Sequence, residues 1–182
     1  MQEYTDDKYY NCIVVGGGAS GLAAISAMVD LGVTNTILLE KSNEIGGPLL
    51  TNTEPIVLSG KSFSGKELLA QFLRLIEIYE IKTAPHTALT SIQMNKNSGM
   101  KDAYFTISVQ NSEKEPEEFY YCNYIILAIS DDAITALRAD SNSLSDPRVK
   151  IIPKETPVSG ALELGGKTGR EMGELLLREN KK

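Results

Sequence analysis

Apolar positions along the chain follow two periods, one of strands and one of helices. Tyr9 to Val15 is an apolar run of strand length, and Thr36 to Glu40 is a second, continuous run typical of parallel strands buried on both faces. Between them Ala23, Ala24, Ala27, Met28 and Leu31 recur at helical spacing, which predicts a helix over Ser20 to Leu31 ended by Gly32. Lys41 to Gly60 has no period and is rich in Gly, Pro, Asn and Ser, so it reads as a long functional connection. Ser64-Gly65-Lys66-Glu67 is a capping box, and the helix it opens carries Leu68, Leu69, Phe72, Leu73, Leu75, Ile76 and Tyr79. Ile81 to Thr83 and Ala88 to Met94 are strand-like. Tyr104 to Gln110 alternates, Phe105, Ile107 and Val109 against Thr106 and Ser108, and predicts a half-exposed antiparallel strand. Phe119 to Tyr121 continues that pattern across a charged turn at Glu113 to Glu118.

Further on, Tyr124 to Ile129 is apolar throughout and belongs in the main parallel sheet. Asp131 to Pro147 is polar except for a short helical pattern at Ala133 to Leu137, and reads as a surface connection. Short strands are expected at Val149 to Ile152 and around Gly160 to Leu164, followed by a terminal helix from about Thr168 to Glu179. The order of elements predicts an α/β fold: a Rossmann-like parallel sheet with flanking helices plus a small antiparallel β-sheet. At 182 residues the chain suits one such core.

The first strand runs straight into Gly16-Gly17-Gly18-Ala19-Ser20-Gly21, a Gly-x-Gly-x-x-Gly turn opening a helix. Gly16 makes the tight turn, Gly18 lets backbone approach a pyrophosphate, and Gly21 lets the helix pack close to the strand. Phosphates at such a turn sit on the helix N-terminus, where free N–H groups and the helix dipole favour negative charge. Glu40 ends the second strand at the distance where these folds place an acid on a ribose hydroxyl. Strand, turn, helix and acid together predict an adenine dinucleotide site.

Composition narrows the partners. A net charge of −6 leaves no basic face for nucleic acid, and no apolar run is long enough to span a bilayer. Met1 to Tyr10 is polar and acidic, unlike a secretory signal. Cys12 and Cys122 are too far apart in sequence to suggest a disulfide framework or zinc site, and read as buried thiols in a reducing cytoplasm. The one histidine, His86, lies in a turn-like Pro85-His86-Thr87 with no base partner nearby, and Lys181-Lys182 reads as a frayed tail. No nucleophile–base pair, metal-ligand cluster or paired-carboxylate site stands out, so no catalytic residue is assigned.

These residues resemble the FAD-binding domain of thioredoxin reductase-like flavoproteins, the pyridine nucleotide-disulfide oxidoreductases, over nearly the whole chain. The resemblance rests on Glu40-Lys41 followed by Gly46-Gly47, on Leu49 to Leu68, on Ile125 to Ser130 as the return strand, and on Thr156 to Gly166 near the C-terminus. It implies one FAD-binding domain over 1–182: an N-terminal part, 1–130; a connection, 131–148, too short for the NADPH domain found there in the family; and a C-terminal strand–helix part, 149–182. It implies cofactor contacts at Gly16, Gly18, Ala19, Ser20 and Gly21, at Glu40 and Lys41, and at Gly46 and Gly47, with Lys41 reading otherwise as a solvated lysine. Leu89 and Ala128 are expected beside them, and Gly165, Gly166 and Lys167 at the flavin end.

The departures shape the expectation. The redox Cys-x-x-Cys is absent, so disulfide reduction does not carry over. The family's Ala-Thr-Gly is Ala128-Ile129-Ser130, and its Gly-Asp is Gly165-Gly166, which removes an acceptor for the ribityl chain. The N-terminus of the final helix, near Lys167-Thr168-Gly169, is expected to stabilise negative charge on a reduced flavin. The function implied is an FAD-binding oxidoreductase or oxidoreductase subunit, with a protein partner supplying electrons and homo-oligomerisation open. The alternative is a redox-inactive dinucleotide-binding regulatory or interaction module.

Overall fold

A computed structural model of the chain describes residues 8–95, 104–111, 116–154 and 157–179. Most of the acidic N-terminus, residues 112–115 of the charged turn, Thr156 and the terminal lysine pair lie outside the described residues. The chain opens with β1 (Tyr9–Val15), α1 (Ala19–Asp30) and β2 (Thr36–Leu39). A one-turn α2 (Pro48–Thr51) and a hairpin of β3 (Ile56–Leu58) and β4 (Lys61–Phe63) lead to α3 (Gly65–Ile78) and β5 (Lys82–Ala84). Then come β6 (Ala88–Met94), β7 (Phe105–Gln110), β8 (Glu118–Leu127), α4 (Asp131–Thr135), β9 (Arg138–Ala139), α5 (Ser141–Ser145), β10 (Val149–Ile151) and α6 (Val158–Glu179).

The main sheet has the order β5-β2-β1-β8-β7-β6-β9, with β10 also on β8, and β3–β4 form a separate antiparallel pair. β5, β2, β1, β8 and β10 pair in parallel, while β7 is antiparallel to both β8 and β6. The two expected segments Phe119 to Tyr121 and Tyr124 to Ile129 are one strand. One edge of β8 runs beside β1 from Tyr121 to Leu127; its other edge holds β7 first and β10 afterwards. A ten-residue strand can serve two neighbours on one side because each needs only half its ladder. The Asp131 to Pro147 stretch does more than cross the surface: β9 pairs Ser91 with Arg138 and Ile92 with Ala139.

Apolar side chains split onto the two sheet faces, as the strand period demands. On one face Val14, Leu38 and Ile126 meet α1, α3 and α6. On the other, Ile13, Val15, Ile37 and Leu39 are covered by Ile92 of β6 and by Phe105 and Ile107 of β7. The capping box forms as expected, with Ser64 Oγ accepting from Glu67 N–H and Ser64 N–H donating to Glu67 Oε2 at 2.7 Å.

The expected strand at Gly160 to Leu164 is corrected: α6 runs unbroken from Val158 through Gly165-Gly166 to Glu179. Its buried residues, among them Ala161, Leu162, Gly165, Thr168, Gly169 and Met172, recur at helical spacing. α6 lies parallel to α1 at backbone contact. A Cβ on Gly165 would stand 2.7 Å from Ser20 Cα, and one on Gly169 2.6 Å from Ala24 Cα. Glycine four apart leaves a trough into which α1 settles, and this contact outweighs the poor helix propensity of glycine.

Candidate functional site

The Gly turn is built as the sequence predicts. Gly16 has φ +107°, and a Cβ there would stand 2.9 Å from the Ala128 carbonyl carbon, so only glycine lets β1 turn beneath β8. Gly16 N–H donates to Leu39 O at 2.8 Å and Ala128 N–H to Val15 O at 2.8 Å, which locks the turn between β2 and β8. Gly21 packs against Gly16 and seats α1 on the strand. The flank of Gly18 is open, and a Cβ there would meet only Pro48 Cδ, at 3.5 Å.

Glu40 is 9% exposed, and both its carboxylate oxygens are engaged by backbone. Oε2 accepts from Gly17 N–H at 2.6 Å, and Oε1 from Ser42 N–H at 2.7 Å. Each oxygen keeps a further lone-pair direction for a hydroxyl donor. Thr87 N–H donates to Glu40 O and His86 N–H to Ser42 O, so the loop after β5 is tied to the acid's loop. Gly46 N–H reaches Gly17 O at 2.8 Å, and the positive φ of Gly46 and Gly47, +136° and +48°, folds Pro48 back over the turn.

A groove runs across this framework in two compartments. The first, about 280 Å³, is lined by Gly16, Gly18, Glu40 and Lys41, with Leu89 and Leu137 as apolar walls. The second, about 240 Å³, has Gly18, Ala19 and Ser20 on one side and Lys154, Val158 and Ala161 on the other. Gly18, Pro48, Ala128, Ile129 and Ser130 line both. α6 starts seven residues before Gly165, whereas α1 starts one residue before Ser20, so α6 overhangs α1 by about 9 Å at 1.5 Å per residue. Two parallel helix N-termini therefore open on the second compartment, lending it positive potential.

The expected site residues separate accordingly. Gly16, Gly18, Ala19, Ser20, Glu40, Lys41, Gly47, Leu89 and Ala128 line the groove, while Gly21 and Gly46 shape it from behind. Three expected residues fall elsewhere. Gly165 is packed on Ser20, Gly166 faces a different cavity, and Lys167 is exposed in mid-helix. The helix N-terminus expected at Lys167-Thr168-Gly169 is at Val158 instead, because the chain is already helical there. Gly166 lines that other cavity and not the groove, so its lack of a side chain takes nothing from the groove. Sequence reading missed Thr87, Leu137, Lys154 and Val158. Of these only Thr87, a polar residue beside an apolar strand, carried a local signal.

Comparison with known proteins shows the fold. No protein-family model matches the chain. The structure is similar to THI4 of Thermovibrio ammonificans, at 13% identity and a TM-score of 0.66, covering 96% of this chain and 91% of that one. It is similar to an L-proline dehydrogenase from P. horikoshii (16% identity, TM-score 0.51, 67% of this chain and 22% of that one). It also aligns with the thioredoxin reductase of T. acidophilum (22% identity, TM-score 0.49, 66% and 35%). Of the bacillithiol disulfide reductases from Bacillus cereus and Staphylococcus aureus, the chain spans 40% and 39% of the length. These likenesses show a shared fold, one that THI4 and the L-proline dehydrogenase also have.

Proposed function

We propose that this chain binds FAD in the groove and works as a flavoprotein oxidoreductase, or as the flavin-holding subunit of one. The observation that carries the reading is the groove's construction: a buried, backbone-oriented Glu40 at one end, an open glycine turn in the middle and two helix N-termini at the other. The fit to a dinucleotide rests on Gly18, whose missing side chain leaves the floor between the two compartments clear.

When bound, FAD would supply the electron chemistry through its isoalloxazine ring. The chain's own residues would hold it. Glu40 has lone pairs left that would take ribose hydroxyls, Leu89 and Leu137 would give the purine apolar walls, and the N–H groups opening α1 would hold the pyrophosphate. Lys154 and the start of α6 favour negative charge in the second compartment. Among the described residues lining the groove, Glu40, Lys41 and Lys154 are the ionisable ones. Cys12 and Cys122 are buried in the sheet, where loss of water pushes both thiols well above their ordinary range. Such thiols are inert, which speaks against disulfide reduction by this chain alone and fits a reducing cytoplasm. Electrons would come from a separate donor, such as a partner protein.

The test is direct. Protein with FAD should show flavin absorbance and a melting shift larger than FMN gives, worth about 2.7 kcal/mol at one hundred times the dissociation constant. No flavin absorbance together with no shift would end the proposal. Anaerobic addition of NADH or NADPH then separates a flavin that bleaches from one that needs a partner or stays inert.

A further inference from the structure

A second cavity, about 540 Å³, lies outside the groove between α1, α3, α6 and the β3–β4 hairpin. Val158 and Ala161 of α6 look into the groove, whereas Ser159, Leu162, Glu163 and Gly166 look into this cavity. Three departures from local rules meet on its walls. Gly166 sits in a helix interior where an added Cβ would meet nothing within 4 Å, so, unlike Gly165 and Gly169, it has no packing reason to be glycine. Asp30 is the last residue of α1, where the helix dipole disfavours an acid, and no basic residue lies in that turn. Val57 is 59% exposed on a strand. Departures of this kind concentrate where function overrides folding preference.

We propose that this cavity binds an α-amino acid with a large apolar side chain. Asp30, Glu163 and the carbonyl end of α1 outweigh Arg170 and make the cavity negative, which calls for an ammonium group. Arg170 calls for a carboxylate. The backbone contacts of Gly165 with Ser20 and of Gly169 with Ala24 set Arg170 level with Ile25, so Arg170 lies about 8 Å from Asp30 along the parallel pair. Neither residue has an ion-pair partner among the described residues. Ala23, Ala27, Val57, Phe72 and Leu162 offer the side chain an apolar bed, and bare Gly166 leaves room for it. The first turns of α6 separate this site from the groove, so the proposal stands independently of the flavin reading. A ligand here would brace the overhang of α6 that also walls the groove's second compartment.

The experiment titrates L-phenylalanine, phenethylamine and 3-phenylpropionate against the full chain by calorimetry, with amide chemical shifts to locate binding. L-phenylalanine should bind and move the amides of Ala27 and Gly166 but not those of Gly16 and Gly18. The two analogues, each lacking one charge, should bind at least about tenfold more weakly. Asp30→Asn should weaken L-phenylalanine by about tenfold or more. Gly166→Met should abolish it, while Gly166→Ala retains it. No binding at millimolar L-phenylalanine overturns the proposal, and so do shifts confined to the groove. Equal binding of phenethylamine, or an unchanged affinity in Asp30→Asn, overturns it too. Asp30→Asn is a surface change and keeps the test valid if Gly166→Met folds poorly.

Discussion

The same substitution three residues apart in one helix should change stability in opposite directions. At Gly166 an added Cβ meets nothing within 4 Å, so Gly166→Ala gains only the helix propensity difference, about 1 kcal/mol. At Gly169 the added Cβ would stand 2.6 Å from Ala24 Cα, about 1 Å inside ordinary contact, and the obstacle is backbone that cannot rotate away. α6 must then lift off α1, an overpacking cost of about 1–3 kcal/mol that the same propensity gain only partly offsets. The propensity gain is common to both, so the two variants should differ by the overpacking cost, about 1–3 kcal/mol, which at about 2–4 °C per kcal/mol for a chain of this size separates their melting temperatures by about 2–12 °C. Thermal and urea unfolding followed by circular dichroism would measure both. Equal shifts of the same sign would refute the close packing of α6 on α1, and with it the placement of Val158 over the groove.

Other consequences are as specific. Gly18 has φ −83°, which any residue tolerates, so Gly18→Val should leave stability within about 0.5 kcal/mol while its side chain fills the groove and abolishes FAD binding by absorbance. Glu40→Ala strands the buried Gly17 N–H, while the exposed Ser42 N–H can bond water, and should cost about 1–3 kcal/mol as well as weakening FAD, read by chemical denaturation and titration. The Ser64 hydrogen bonds hold the Glu67 carboxyl below its ordinary value, so this helix cap stabilises above the unfolded carboxylate pKa and is lost as pH falls through the lower folded value. Ser64→Ala should cost about 1 kcal/mol at neutral pH and flatten that acid dependence. Burial and a hydrogen bond to Glu179 raise the Tyr124 phenol, so stability should fall as pH rises above about 10, and less steeply in Tyr124→Phe.

Local chemistry alone was enough for β1, the glycine turn, α1, β2 and the capped α3, because turn, cap and period act within a few residues. The same holds for the placement of Glu40 beside that turn, which follows from its position at the end of a strand. Residues with two local meanings were decided only in three dimensions. Gly160 to Leu164 reads as a strand ahead of a helix that begins near Thr168, and the contact of Gly165 and Gly169 with Ser20 and Ala24 selects one helix instead. Strand β8 was legible as two pieces because its neighbours change along one edge, a fact of pairing rather than of composition. Leu137, Lys154 and Val158 reach the groove from segments distant in sequence, and the second cavity draws on residues from Ala23 to Arg170. Hydrogen bonds within a turn are written in neighbouring residues, whereas which faces meet depends on how the whole apolar surface is buried. Adjacent residues therefore specify the glycine cradle that begins this chain, and the packing of distant segments settles what closes the cradle and what lies behind it.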